Sequence, residues 1–322
     1  MRVKDLRKIL VTDATFPSFD HEKAVAARHG ASFHVCQCKG AEEVAAAAQG
    51  VDVLVVQFAQ VGADAIAKLN DGAAIVRYGI GLDNIDLKAA QARGVPVAYV
   101  PDYATGEVAD HTAALILAAS RKIIALDQSV RAGRWDPVGV ARPMKAYSES
   151  VVGFVGFGRI GRGVYARLAP FGFKAVAYDP FADKVELAEL GVEAVDLDTV
   201  FKRADVLTLH SPLTDETRHV VNAKRLASMK RDAFIVNTAR GPLVDPIALA
   251  DALDQGLIAG AALDVFQTEP LAQDSPLRTC PNLILSPHVA WYSAGSAIRV
   301  QELAADEIER HLTGRAARRP AY

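Results

Sequence analysis

Short apolar runs alternate with longer stretches of helical periodicity along this chain. KILVTD, ASFHVC, DVLVVQ, AAIVRYG and VPVAYV are compact apolar runs of the kind that forms buried strands. Helical stretches separate most of them, such as Asp20 to His29 and Asp64 to Leu69. After VPVAYVPDYATG the pattern predicts one long apolar helix, EVADHTAALILAASRKIIALDQSVRAG, and then a looser stretch, RWDPVGVARPMKAYSES. The alternation then restarts with SVVGFVGFG, KAVAYD, ADVLTLHS, AFIVNTARG, GAALDV and LILSPHVA. Strands alternating with helices imply parallel sheets covered on both faces, an α/β fold.

The two halves echo each other. KLNDGAAIVRYGIGLDNIDLKAAQARG runs parallel to SMKRDAFIVNTARGPLVDPIALADALDQG. In each, a strand meets a glycine turn and then an acidic residue ahead of a helix. Asp245 suits the N-cap with Pro246 at the first helical position, and Gly94 and Gly256 suit the positions past helix ends. SAIRVQELAADEIERHLTGR reads as one amphipathic helix expected to return to the first unit, and the basic tail GRAARRPAY as a solvated terminus.

Composition narrows the picture. A length of 322 residues favours two domains, and 51% hydrophobic with 23% charged residues indicates a globular chain. A formal charge of -2 argues against an electrostatic surface for nucleic acid or membrane. No apolar run spans a membrane, and the opening MRVKDLRKILVTD lacks a secretory apolar core. Three cysteines make no disulfide framework, and Cys36-x-Cys38 has no second pair to complete a zinc site. No metal is expected, and inert thiols fit a cytoplasmic protein.

The chemistry concentrates after Val151. VVGFVGFGRIGRG contains Gly156-x-Gly158-x-x-Gly161 between a strand and a helix, the context a dinucleotide fingerprint requires. Gly156 permits the tight turn, Gly158 lets the backbone approach a pyrophosphate, and Gly161 lets the helix pack on the strand. The helix N-terminus offers N–H groups to phosphates. The next strand ends in Asp179, 21 residues after Gly158, where a carboxylate accepts the adenosine ribose hydroxyls. Pro180 and Phe181 follow, with no arginine to receive a 2′-phosphate, which points to NAD rather than NADP. Later strand ends carry Ser211, Pro212, Arg240, Asp264, Glu269 and His288. An arginine grips a carboxylate, a histidine donates a proton to an oxygen, and a carboxylate orients the imidazole. With a nicotinamide, that set reduces a 2-oxo acid. Taken singly, Arg240 also reads as a surface ion pair, Glu269 as solvated and His288 as a turn cap.

Over nearly its whole length the sequence resembles the D-isomer-specific 2-hydroxyacid dehydrogenases. VGFVGFGRIG, LHSPLTDETRHVVN, FIVNTARGPLVD, GAALDVFQTEP and PNLILSPHVAWYS match family blocks in order and spacing. The resemblance implies two Rossmann-like, doubly wound parallel-sheet domains with the active site in the cleft between them. Residues 1–102 with 291–322 would form the substrate domain and 103–290 the NAD-binding domain. It implies a catalytic set of Arg240 on substrate, His288 as acid/base and Glu269 as its partner. Cofactor contacts would come from Thr105, Gly156, Gly158, Arg159, Ile160, Gly161, Asp179, His210, Ser211, Pro212, Thr217, Asn237, Thr238, Ala239 and Asp264. RYGIGLDNID is similar to the family's substrate loop, so Tyr78, Gly79, Ile80 and Gly81 would present N–H groups to a carboxylate. Trp291 stands where many members have glycine; with that loop it most resembles the C-terminal-binding-protein branch, which includes NAD-sensing corepressors. Trp291 either walls the substrate pocket or packs an interface. The family implies a homodimer through the cofactor domains, with the long helix and RAGRWDP in the interface.

Overall fold

The computed structural model describes residues 6–322, so Met1–Asp5, part of the stretch read for a leader, lie outside the described residues. The chain divides into two compact units: the described residues through Ala104 together with Ser293–Tyr322, and Thr105–Tyr292.

In the first unit five parallel strands are β1 (Lys8–Val11), β2 (Ser32–Val35), β3 (Val53–Val56), β4 (Ala74–Arg77) and β5 (Val97–Tyr99), in the order β2-β1-β3-β4-β5. β3 and β4 are buried at every position, which is why they read as unbroken apolar runs rather than alternating ones. The helix Ala294–Leu312 completes this unit. Its Gln301 Nε2 donates to Ser18 O at 2.7 Å, and Glu309 bonds Arg28 and His29 at 3.1 and 3.0 Å. The tail is exposed to solvent, as expected, but it is also paired. β5 is an edge strand whose open backbone groups need a partner. Residues 319–321 supply one: Tyr99 N donates to Arg319 O at 3.2 Å and Ala321 N to Val97 O at 2.9 Å.

The second unit holds seven parallel strands: β6 (Val151–Val155), β7 (Lys174–Tyr178), β8 (Val192–Ala194), β9 (Val206–Leu209), β10 (Phe234–Asn237), β11 (Gly260–Leu263) and β12 (Leu283–Leu285). Their order is β12-β11-β10-β9-β6-β7-β8. The long helix is two helices, Thr105–Ser120 and Ile123–Arg131, parted at Lys122 with φ +50°. Ser120 Oγ bonds back to Ile116 O at 2.7 Å, a side-chain bond that competes with continued helix. The looser stretch contains a short helix, Pro137–Ala141, capped by Asp136.

The sequence echo is structural. Val61 bridges Ile85 in one unit and Val221 bridges Val244 in the other, each in parallel sense. Asp86 and Asp245 follow these bridges and cap the next helices, accepting from Ala89 N and from Ile247 N and Ala248 N. The units differ where their strand order reverses. In the first, Asp13 after β1 fills the crevice: its carboxylate accepts Gln57 N at 3.1 Å and Phe58 N at 2.6 Å. In the second, the matching residue after β6 is Phe157, buried in the core, and glycines 156 and 158 flank it in the turn.

Candidate active site

The three glycines of the loop after β6 do three different things. Gly156 has φ +88°, and a Cβ there would stand 2.7 Å from Ser211 N and 2.8 Å from His210 C. A Cβ at Gly161 would stand 2.9 Å from Gly156 O, so helix and loop touch. A Cβ at Gly158 would meet nothing within 4 Å, and Gly158 and Arg159 are exposed. The helix Arg159–Leu168 therefore opens its N-terminus toward vacant space, with no side chain capping it. Ile160 turns inward against the core beneath the sheet.

Asp179, just past β7, ties this loop down. Its carboxylate accepts Phe157 N at 2.7 Å and Phe181 N at 2.9 Å. Across the switch point, His210 follows β9. Its Nε2 meets Thr208 Oγ1 at 3.0 Å, its ring stacks on Phe154, and burial pushes its imidazole down to about 3. Burial thus favours its neutral form. Ser211 Oγ is buried with no partner among the described residues, a donor and acceptor awaiting one. Thr217 Oγ1 closes the following turn on Pro212 O at 2.7 Å. An open helix N-terminus, a glycine a Cβ would leave uncrowded, an acid after the second strand and an orphan hydroxyl together fit a dinucleotide. They would hold its pyrophosphate and ribose.

β10 delivers Arg240. Buried Asn237 builds the turn, accepting Ala239 N at 3.0 Å and donating to Arg240 O at 2.9 Å, while Arg240 Nη1 donates to Ala239 O at 2.6 Å. Thr238 Oγ1 bonds Thr112 Oγ1 at 2.7 Å, fixing this turn to the helix Thr105–Ser120, which Thr105 begins. Gly241 lies so close to Phe266 that any side chain there would overlap the Phe266 carbonyl. The Arg240 turn and the segment leading to Glu269 are thus in backbone contact.

β11 and β12 bring the acid pair together. His288 Nδ1 lies 2.7 Å from Glu269 Oε2, and Glu269 Oε1 accepts Phe266 N at 2.9 Å. Both side chains are about one third exposed or less, at 27% and 32%. His288 itself has φ +53°, rare for a residue with a side chain. Its N donates to Asp264 O at 2.7 Å. The fully buried Asp264 carboxylate holds the rest of the turn, accepting Ser286 Oγ at 2.5 Å, Val289 N at 3.0 Å and Ala290 N at 2.9 Å. Asp264, expected at the cofactor, thus first serves the turn that carries His288. His111 adds a contact that sequence reading missed, with Nε2 3.3 Å from Ser286 Oγ. Its only signal was a polar residue inside an apolar helix. Trp291 packs edge-on against Tyr292 just beyond the turn.

The candidate substrate loop belongs to the first unit. Two of its four N–H groups are already engaged: Tyr78 N donates to Val56 O at 2.8 Å and Gly79 N to Arg77 O at 2.9 Å. Donation to a ligand narrows to Ile80 and Gly81, whose N–H groups bond nothing among the described residues. The Tyr78 ring is buried, so its side chain serves the fold rather than a ligand.

Comparison with known proteins decides the family. The model of the D-isomer specific 2-hydroxyacid dehydrogenase, NAD binding domain, matches residues 113–290. The chain belongs to the D-isomer specific 2-hydroxyacid dehydrogenase family. It is 41% identical over 248 residues to a glyoxylate reductase of Thermofilum pendens, covering 74% of this chain and 72% of that protein. It is 38% identical over 310 residues to a D-3-phosphoglycerate dehydrogenase of Methanocaldococcus jannaschii, covering 95% of this chain but only 58% of that protein. A D-lactate dehydrogenase structure from Aquifex aeolicus, complexed with NAD and lactic acid, superposes with a TM-score of 0.85 at 27% identity, over 95% of this chain and 96% of that one. As a family member the protein is an NAD-dependent 2-hydroxyacid dehydrogenase. No helix among the described residues is long and apolar enough to cross a membrane, and no cluster there could hold a metal.

Proposed function

We propose that this dehydrogenase interconverts a small 2-oxo acid and its D-2-hydroxy acid, with His288 as the proton donor and acceptor. The hydrogen bond of 2.7 Å between His288 Nδ1 and Glu269 Oε2 carries the reading. With Nδ1 engaged by a carboxylate, Nε2 is the nitrogen that meets the substrate oxygen. A bound nicotinamide would supply hydride chemistry at the substrate carbon. His288 Nε2 gives its proton to the oxygen and regains one from solvent, while Glu269 holds the ring at Nδ1. Arg240 grips the substrate carboxylate, and in the first unit the N–H groups of Ile80 and Gly81 are donors suited to a carboxylate. Trp291, beside the His288 turn, limits the size of the substrate side chain.

A panel of 2-oxo acids with NADH, followed at the nicotinamide absorbance, tests the reading. Arg240→Ala is expected to cut reduction at least about 100-fold while leaving NADH affinity within about twofold, because the lost bonds are to substrate. Loss of NADH binding in that variant would move Arg240 to the cofactor. If wild type reduces nothing in the panel while NADH alters its assembly, the protein senses NAD(H) in the manner of the C-terminal-binding-protein branch.

Asp179 governs cofactor choice in this reading. Its carboxylate, just past β7, accepts Phe157 N and Phe181 N, and Pro180 and Phe181 rather than an arginine follow it. NADH is expected to exceed NADPH at least about tenfold in kcat/KM, about 1.4 kcal/mol. Equal values would remove Asp179 from that role. We assign the protein to a homodimer formed through the second unit. Ile123, Trp135 and Val138 there are 53%, 87% and 53% exposed, an apolar patch suited to a second copy.

A further inference from the structure

The loop after β4 is held by a buried polar assembly that no ligand would touch. Tyr78 is 1% exposed, and its hydroxyl donates to Glu22 Oε1 at 2.8 Å. Glu22 sits in the helix Asp20–Arg28 with no exposed surface. Gln301, from the helix Ala294–Leu312, reaches the same Oε1 with its Nε2 at 3.5 Å while donating to Ser18 O. Glu22 Oε2 is buried with no partner among the described residues. Burial pushes the Glu22 carboxyl up, against the pull of its bonds to Tyr78 and Gln301. An apolar side chain would fill this space at lower cost. A carboxylate kept in such a place specifies one arrangement of the ring it holds.

That ring fixes the backbone beside it. Around Tyr78 and Gly79, every main-chain group is engaged. Val56 O and Arg77 O accept the two amides, the Arg77 guanidinium donates to Tyr78 O, and Val100 N donates to Gly79 O at 3.0 Å. Gly79 takes φ +134°, and Arg77 closes the space a side chain there would need. The chain leaves this clamp at Ile80 and Gly81, the loop's two remaining donors. Their direction is therefore inherited from Tyr78.

We propose that Glu22 and Gln301 are positioning residues for an anion-binding loop, aiming the N–H groups of Ile80 and Gly81 through the hydroxyl of Tyr78. The ligand class is a carboxylate, and that part rests on the function proposed above. Two helices far apart in sequence, 20–28 and 294–312, thereby govern substrate affinity without contacting substrate.

Tyr78→Phe removes the hydroxyl and keeps the ring. Its KM for the 2-oxo acid should rise about tenfold, with kcat within about twofold and NADH affinity unchanged. Glu22→Gln keeps an acceptor for the hydroxyl and should hold KM within about twofold of wild type. Because Tyr78→Phe also strands a buried carboxylate, the deciding variant is Glu22→Leu/Tyr78→Phe, in which both polar groups leave together. Thermal melting should then return near wild type while KM stays raised and hydrogen exchange of the 78–84 segment stays faster than wild type. A double variant with wild-type KM and exchange would make the assembly merely structural and overturn the proposal. Should wild type reduce no 2-oxo acid, the functional reading fails separately, and hydrogen exchange alone decides this one: unchanged exchange of 78–84 in the double variant overturns it, and faster exchange supports it.

Discussion

With His288 as the proposed acid, its replacement by alanine is expected to lower kcat for reduction about 10²- to 10⁴-fold, the usual worth of a positioned acid. NADH affinity holds within about twofold, since the imidazole bonds Glu269 and its backbone bonds Asp264. Glu269→Gln costs less, about tenfold, because an amide can still orient Nδ1. The proposed acid has a second signature. Reduction consumes a proton and needs the charged ring; oxidation needs the neutral ring. The two directions should therefore depend on pH in opposite senses. Profiles of kcat/KM against pH for reduction and oxidation check this. Profiles of the same sense would end the claim that His288 carries the proton.

Asp205→Ala destabilises the second unit by about 2–4 kcal/mol, the range for breaking a buried charged hydrogen-bond set. Asp205 opens β9 with its carboxylate 8% exposed. It accepts Lys145 Nζ at 2.7 Å, Lys230 Nζ at 2.9 Å and Val151 N at 2.8 Å, and Lys145 also meets Asp232 at 2.8 Å. One side chain thus ties β6 and the loop before β10 to the amino end of β9. Burial acts to raise its carboxyl, but the two ammonium groups and the Val151 amide outweigh burial and hold it below the ordinary value. A lowered carboxyl stabilises above the unfolded value of about 3.9 and loses that contribution as pH falls through the folded one. The gap between wild type and Asp205→Asn in urea unfolding is accordingly widest near neutrality and closes in acid. A gap independent of pH would mean that shape rather than charge holds this corner.

The fold was legible where burial is two-sided. β3, β4, β9 and β11 are buried throughout and announce themselves as apolar runs. β8 escaped because three residues at a sheet edge, with Glu193 outward, carry no such signal. The break at Lys122 escaped because neither glycine nor proline marks it, and the tail's pairing with β5 because an edge advertises nothing in the partner's sequence. The glycine loop was readable since order along the chain is the motif. Residue types after the later strands suggest an acid, its partner and a carboxylate grip, yet only tertiary packing makes Glu269 and His288 neighbours. Glu22 and Gln301 left no trace, and His111 only its polarity within an apolar helix, since their partners are dozens to hundreds of residues away.

The first unit has a consequence for synthesis. Its sheet is laid down by residue 99, yet the helix that contacts Ser18, Glu22, Arg28 and His29 lies beyond Tyr292. A nascent chain must hold that half-built unit, with the place for helix 294–312 uncovered, while 105–292 are translated. Domains tend to fold as units in the order they emerge. Here the inserted unit has all its strands before the outer one has all its helices. Chains stalled or clipped before Ser293 should present an exposed apolar seam to chaperones and proteases, however sound their dinucleotide fold.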